Sequence, residues 1–402
     1  MKASAGMRAD AARVQGALAM LRHAHDNPGV TRAEAAARLG MSSGSASEVV
    51  GRLRGARLLA EQPLPQPAGR GRPTALLTAH PDGPLVAVAE INYEAWRVGT
   101  SAVGGALTAG PAHHHTGQDA ATILAAIRRA ITALRRRHGR RLRAVGVCVT
   151  GTVHEGLLRQ AATLHWHDVD LGLLAAPGLP LVVGNDATLA GVAEARRGAA
   201  RDRRVLLHLT VQVGVGGILV IDGAPASGAG GAAGEYGHMP FGDPALRCDC
   251  GTRGCWDMMV DGRAMARHLH QPPPADPRTF AANVLSAARC GDHAARTAVA
   301  TVATALGHGI GALINATDPD IVTLGDLGAE LLDAAPDPLL AAVANATMTW
   351  RRSQLPPIVP AALTTDGPAI GAAEAAWATL LTEEHIAAAL HRSPATHHQP
   401  AT

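Results

Sequence analysis

Gly234-Glu235-Tyr236-Gly237-His238 is shortly followed by Cys248-Asp249-Cys250-Gly251-Thr252-Arg253-Gly254-Cys255, and this stretch decides how the chain is read. One imidazole and three thiolates suffice for a closed tetrahedral Cys3His site, the arrangement of structural zinc. His238, Cys248, Cys250 and Cys255 are therefore the candidate ligands of a Zn2+ ion. Gly251 and Gly254 permit the tight turns that bring Cys255 back to the same point. Four protein ligands leave no position for a catalytic water. Three reduced free thiols are the alternative. Cys148 and Cys290 stand apart, and Cys148 falls on an expected strand as a core residue.

Polar residues flank this cluster. Glu235 and His238 precede it, Asp257 follows it, and Asn185-Asp186 ends an apolar strand at Leu181–Val183. Strand ends are where α/β folds place ligand groups, although an Asn-Asp pair also serves as a helix cap. Carboxylates, an amide and an imidazole together suit a polyhydroxylated ligand. Further outward, apolar runs at Leu85–Ala89, Val145–Val149, Val205–Val211 and Ile218–Ile221 alternate with Ala-rich helical stretches at Ala120–Arg137 and Ala295–Ile314. That alternation predicts an α/β body with mixed sheets.

Residues 1–80 have a different texture. Val14, Leu18 and Leu21 recur at helical spacing, and Asn27-Pro28-Gly29 ends that helix. Thr31 with Glu34 is a capping-box pattern for a short helix to Leu39, and Gly40 supplies a turn. A third helix from near Ser42 turns Ala46, Val49, Val50 and Leu53 inward, which completes a helix-turn-helix. Ser42, Ser43, Ser45 and Ser47 are its candidate DNA contacts, short enough to approach base edges, while Arg52 and Arg54 suit phosphates. An ordinary three-helix bundle fits the same pattern. Leu58-Leu59 and Leu76-Leu77 then read as the strands of a wing around Gly69-Arg70-Gly71-Arg72-Pro73. Arg70 and Arg72 on an extended chain suit the narrow minor groove; a flexible basic linker is the alternative.

Charge agrees with this division. The head carries eleven Lys/Arg against five Asp/Glu, a net of +6, which leaves −3 for the rest of a chain whose total is +3. A basic head suggests a polyanionic partner. The hydrophobic fraction of 47% and charged fraction of 17% exclude a disordered chain. No apolar stretch is expected to span the roughly 20 residues that cross a bilayer, and the N-terminus lacks the apolar core of a secretory signal. A cytoplasmic protein with no membrane partner is expected.

The Gly-Glu-Tyr-Gly-His and Cys-x-Cys-Gly-x-x-Gly-Cys motifs resemble those of the ROK family (repressors, open reading frames and sugar kinases), in its repressor branch, with a match from about Arg13 to Leu381. The resemblance implies a winged helix-turn-helix followed by a two-lobed actin-like ATPase fold with a sugar cleft. It also implies sugar contacts by Asn185, Asp186, Glu235 and His238, with His238 on zinc as well. Two positions depart: Thr163 stands where the family has a sugar-contacting Asn, and Asp257 replaces a common Glu. A kinase of this family needs a first phosphate loop of the form Asp-x-Gly-Gly-Thr, whereas Glu90-Ile91-Asn92-Tyr93-Glu94 offers carboxylates instead of glycines. The second phosphate loop reads Gln212-Val213-Gly214, and Gly325-Asp326 replaces a Gly-Gly. Phosphoryl transfer depends on charge neutralisation, so a regulator is expected rather than an enzyme. A sugar kinase and a regulator that has lost its sugar are the alternatives.

The expected organisation is a DNA-binding domain over 1–80, a ROK-type sugar-binding domain over 81–390, and a disordered tail over 391–402. The expected partners are a double-stranded DNA operator, a sugar-like effector and a second copy of the chain. A homodimer or homotetramer would match palindromic half-sites about one DNA turn apart.

Overall fold

The computed structural model describes residues 2–63, 75–115 and 119–392. The head opens with α1 (Lys2–Asp26), α2 (Arg32–Arg38) and α3 (Ser43–Gly55). Local chemistry sets these limits. The Thr31 hydroxyl accepts the Glu34 amide while the Glu34 carboxylate accepts the Thr31 amide at 2.9 Å, the reciprocal cap that starts α2. Gly40, at φ +65, makes the turn, and the Ser42 hydroxyl caps α3 through the Ser45 amide. Ala46, Val50 and Leu53 of α3 are buried, and Val49 is half-buried. Strands β1 (Leu59–Pro63) and β2 (Ala75–Ala79) pair antiparallel, with Leu59 opposite Ala79. They form a hairpin where the sequence predicts one; Arg70 and Arg72 lie outside the described residues.

The first sheet follows. It contains β3 (Leu85–Ile91), β4 (Ala95–Ala102), β5 (Leu107–Thr108), β6 (His113–His114) and β7 (Leu142–Val149), with α4 (Ala120–His138) packed against it. A three-stranded sheet of β8 (Thr152–His154), β9 (Leu157–Ala161) and β10 (Trp166–Asp170) comes next. Then β11 (Leu181–Asn185) joins the edge of the first sheet, whose order is β11-β7-β3-β4-β5 with β6 beside β4. Every residue of β3 is buried, as an interior strand covered on both faces requires.

After α5 (Asp186–Arg197) comes the second sheet, with β12 (Val205–Val211), β13 (Val215–Ile221) and β14 (Ala224–Pro225). The helices α6 (Gly262–His268), α7 (Pro277–Arg289) and α8 (His293–Thr317) lead to β15 (Ile321–Asp326). The remaining elements are α9 (Leu327–Ala334), α10 (Pro336–Ala346), α11 (Thr349–Arg352), β16 (Ile358–Pro360), α12 (Gly367–Leu380) and α13 (Glu383–His391). The second sheet runs β14-β13-β12-β15-β16, and β12, β15 and β16 are parallel. Leu207, Leu209 and Val211 of β12 share one core with Val299, Val302, Leu306 and Ile310 of α8.

Contrary to the expectation from sequence, one helix among the described residues is long and apolar enough to cross a bilayer: α8, with 25 residues and a mean hydropathy of 1.5 in its most apolar window. That window is 61% buried inside the protein, so its apolarity is explained by packing.

Two compact units emerge from the contacts. One gathers the described parts of Met1–Val147, Gly172–Val182 and Ala372–Thr402; the other holds Cys148–Leu171 and Val183–Gly371. The head thus packs in one unit with the first sheet and the last two helices. His25 of α1 bonds Glu374 of α12 at 3.2 Å, and the Arg22 guanidinium donates to the Leu381 carbonyl at 2.7 and 3.1 Å. Residues 393–402 of the expected tail lie outside the described residues.

His208 lies buried in β12, its ring nitrogens 2.8 Å from the Thr323 hydroxyl and 3.0 Å from that of Thr210. Burial pushes its pKa down from 6.5 to about 4. The folded protein therefore keeps it neutral where the unfolded chain takes up a proton. Stability is lost as pH falls from about 6.5 toward 4, by up to roughly 3 kcal/mol. Denaturant titrations across this range should show a steeper pH slope for the wild type than for H208Q; equal slopes would sink the assignment.

Candidate functional site

The cysteine loop is shaped by its own backbone. The Cys248 amide donates to Thr252 O, Gly251 N to Cys248 O, and Gly254 N to Leu246 O, each near 3.0 Å. Gly251 and Gly254 have φ of +96 and +72, the left-handed region that favours glycine. The loop is tied to the preceding turn, because Trp256 N donates to Met239 O and Gly242 N to Gly254 O. Trp256 is fully buried and packs against Gly309, where any Cβ would collide with the indole ring.

These constraints bring His238, Cys248, Cys250 and Cys255 together, one ligand atom of each lying within 4.8 Å of the others. Cys250 Sγ is 3.6 Å from Cys255 Sγ, and His238 Nδ1 is 3.8 Å from Cys248 Sγ. A tetrahedron with metal–sulfur bonds of about 2.3 Å has edges of about 3.8 Å. The four residues therefore fit a structural zinc ion. Burial pushes the Cys248 thiol up to about 12. Burial also opposes ionisation of Cys250, but hydrogen bonds from the Thr252 hydroxyl and backbone, with those from Cys248 and Cys255, together outweigh it and hold that thiol at about 7. Three thiolates side by side, two of them buried and Cys250 half-buried, need a cation, which is what a metal ion supplies. Cys148 is buried elsewhere and Cys290 is exposed.

The imidazole of His238 faces two ways. Its Nδ1 side looks toward Cys248 and toward Asp257 Oδ2 at 3.5 Å, while Nε2 lies 3.8 Å from Glu235 Oε2. Asp257 also accepts the Val215 amide at 2.6 Å; burial raises its carboxyl pKa, against the pull of that amide and of His238. A Cβ at Gly237 would strike the Asp257 carboxylate, so only glycine fits between His238 and Tyr236.

A second hydrogen-bonded group sits where β11 meets α5. The Asn185 side chain caps α5 through the Thr188 amide and donates to Gly151 O at 2.9 Å. Asp186 accepts the Thr150 hydroxyl at 2.7 Å, and Glu235 accepts the Thr152 hydroxyl at 2.5 Å. The segment Thr150-Gly151-Thr152 therefore holds both carboxylates. Sequence reading missed it, although a Thr-Gly-Thr directly after the apolar Val145–Val149 run is a strand-end signal. Gly151 is at φ +122 with Gln160 O close beneath it. Thr163 is exposed on the 3-10 turn Ala162–Leu164 and makes no hydrogen bond among the described residues.

The segments compared with phosphate loops are closed on themselves. Glu90 pairs with Arg97, and the Asn92 side chain accepts the amides of Glu94 and Ala95. Gln212 donates to Asp326 at 2.9 Å, and burial raises the Asp326 carboxyl pKa against that bond. The cavity that these two residues line with Asp186, His208 and Gly325 holds only about 20 Å3.

In the head, Ser42, Ser43, Ser45 and Ser47 are all exposed along the start of α3. Arg52 is paired with Glu48 at 2.6 Å and Arg54 with Glu61 at 3.0 Å.

The fold is a mixed α/β fold of the actin-like ATPase type, preceded by a helical region compatible with DNA binding. The model of the ROK family matches residues 106–379, and the chain belongs to that family. A glucokinase of Streptomyces coelicolor is 34% identical over 149 residues, 35% of this chain and 46% of that protein. A xylose repressor of Bacillus subtilis is 24% identical over 183 residues, 45% and 47% of the two chains. The chain spans about half the length of the curated relatives it matches. Among solved structures, a ROK family transcriptional regulator described as a homologue of the E. coli MLC protein aligns with a TM-score of 0.72 at 19% identity, covering 94% of this chain and 99% of that one. A ROK family glucokinase from Streptomyces griseus, in complex with glucose and AMPPNP, aligns at 0.61 and 25% identity, covering 73% and 99%.

Replacing Cys250 with Ser removes one thiolate from the cluster. Elemental analysis of the purified chain should find about one zinc per wild-type chain and markedly less in C250S, together with a lower melting temperature. Equal metal content in the two proteins would overturn the ligand assignment.

Proposed function

We propose that the chain is a DNA-binding transcription regulator, a repressor of sugar transport or catabolism genes, controlled by a sugar or sugar phosphate bound in its ROK domain. The observation that carries this reading is the head. An exposed serine face opens α3, directly after a glycine turn and directly before a wing hairpin. Arg70 and Arg72 belong to the wing in sequence and are proposed to enter the minor groove. Ser42, Ser43, Ser45 and Ser47 are proposed to meet base edges and Arg52 and Arg54 to meet phosphates, exchanging their present carboxylate partners for DNA. The repressor and regulator among the relatives support the same role.

Asn185, Asp186, Glu235 and His238, joined by Thr163 and Asp257, are proposed to grip the effector's hydroxyls. The structural zinc holds His238 in place for that task. The chain is proposed to act as a homodimer or a homotetramer, in which a pair of copies reads the two halves of a palindromic operator. An effector then acts by its differential affinity for the DNA-competent and incompetent states.

The glucokinases among the relatives keep a kinase as the second reading. Against it stand the Gln212–Asp326 bond, the roughly 20 Å3 cavity beside it and the carboxylate at Glu90. Sites for small-molecule ligands usually measure about 300–1,000 Å3. Incubation with ATP and a hexose panel is expected to yield no sugar phosphate; turnover would reverse the assignment.

Fluorescence anisotropy with genomic duplexes should find an operator whose affinity falls with salt. The double variant R70A/R72A should bind it more weakly, with the log–log salt slope shallower by about 2. For the effector, a sugar at about a hundred times its Kd should stabilise the wild type by roughly 2.7 kcal/mol, and E235Q should lose most of that shift. A panel that shifts both proteins equally would remove Glu235 from the site.

A further inference from the structure

A second cavity, of about 390 Å3, lies in the unit that contains the head. We propose that it binds an amphipathic organic anion, one acidic group on an aromatic or acyl body. The floor is apolar: Leu21 of α1, Leu58 at the entry to β1, Val103, Trp377 of α12 and Ile386 of α13. The rim is cationic, formed by Arg57, Arg140, Arg141, Arg143 and Arg392, and Asp82 is the single carboxylate among the described lining residues. Arg141 is committed to the carbonyls of Pro81 and Gly83. Arg143 is half-buried, and burial, followed by the nearby Arg392, disfavours its charged form. Like charges beside an apolar floor are stabilised by an anion that brings its own hydrophobic body. The volume falls within the range of small-molecule sites, about 300–1,000 Å3.

Arg57 adds a second observation. Its φ is +56, a left-handed conformation at the end of α3, where Leu58 N reaches back to Leu53 O at 2.8 Å. Glycine is the residue usually found at such a helix end. An arginine there bears backbone strain that glycine would avoid and places a cation at the rim.

The position matters for control. The cavity touches the turn leading out of α3, and its wall is anchored to α1 by the Arg22–Leu381 bonds and by the His25 ring against Trp377, 5.5 Å apart. An occupant would therefore bias the placement of the DNA-reading helix. This coupling rests on the proposed DNA-binding role, whereas the site itself does not.

The probe is 1-anilinonaphthalene-8-sulfonate, a sulfonate on an aromatic body, titrated into the folded full chain by fluorescence. One molecule per chain should bind. R143Q/R392Q should weaken binding at least tenfold, and so should A389E, which introduces a carboxylate from a lining position of α13. Melting curves of both variants should stay cooperative. Binding within twofold of wild type in both variants overturns the site, as does equal binding of uncharged N-phenyl-1-naphthylamine. Full displacement by millimolar inorganic phosphate overturns the apolar part of the claim. If the probe binds through the arginines yet leaves DNA affinity unchanged, the coupling alone fails; if no duplex binds at all, the regulator reading fails and the site stands.

Discussion

The imidazole of His238 is the shared point on which the body's chemistry depends. One edge of the ring faces the thiols and Asp257, and the other faces Glu235. Its position is set by the tight turn at Tyr236–His238, by the glycine beneath Asp257, and by the bond from Trp256 to Met239. Trp256 in turn sits in the same core as α8 and β12. Moving the ring would therefore disturb the cysteine cluster, the carboxylate beside it and the packing behind it together. Interiors packed to crystal-like density transmit such shifts rather than absorb them.

A second constraint acts on the parallel pairing of β12 with β15. Its register places Val211 opposite Asp326, so the next residue, Gln212, reaches the Asp326 carboxylate. The same pairing sets His208 opposite Thr323 and bonds its ring to that hydroxyl. Hydrogen-bonded side chains fill the space under these strand ends.

The head is bound to its own unit by polar contacts with high positional information. Both nitrogens of His25 are used: Nε2 faces Glu374, and Nδ1 accepts the Gly104 amide at 3.0 Å. His25 and Glu374 are almost fully buried, and breaking one partner of such a pair leaves a buried polar group unsatisfied. The helices that read as a separate module in sequence thus have a defined attachment to α12 and α13.

Much of this was legible in the sequence. The capping box at Thr31, the hairpin strands around Leu59 and Leu77, the helices α4 and α8, and the strands β3, β7, β11, β12 and β13 follow from hydrogen bonds and periodicities within a few residues, whereas β4, β15 and β16 emerged only in the structure. The cysteine spacing likewise carried its own chemistry. Only the tertiary structure decided what lies far apart along the chain. Thr152 meets Glu235 across 83 residues, Gln212 meets Asp326 across 114, and His25 meets Glu374 across 349. No local period encodes such pairs, because each depends on how strands and helices from distant segments settle against one another. The apolar length of α8 shows the same limit: its hydropathy alone fits a membrane or a core, and burial among its neighbours selects the core.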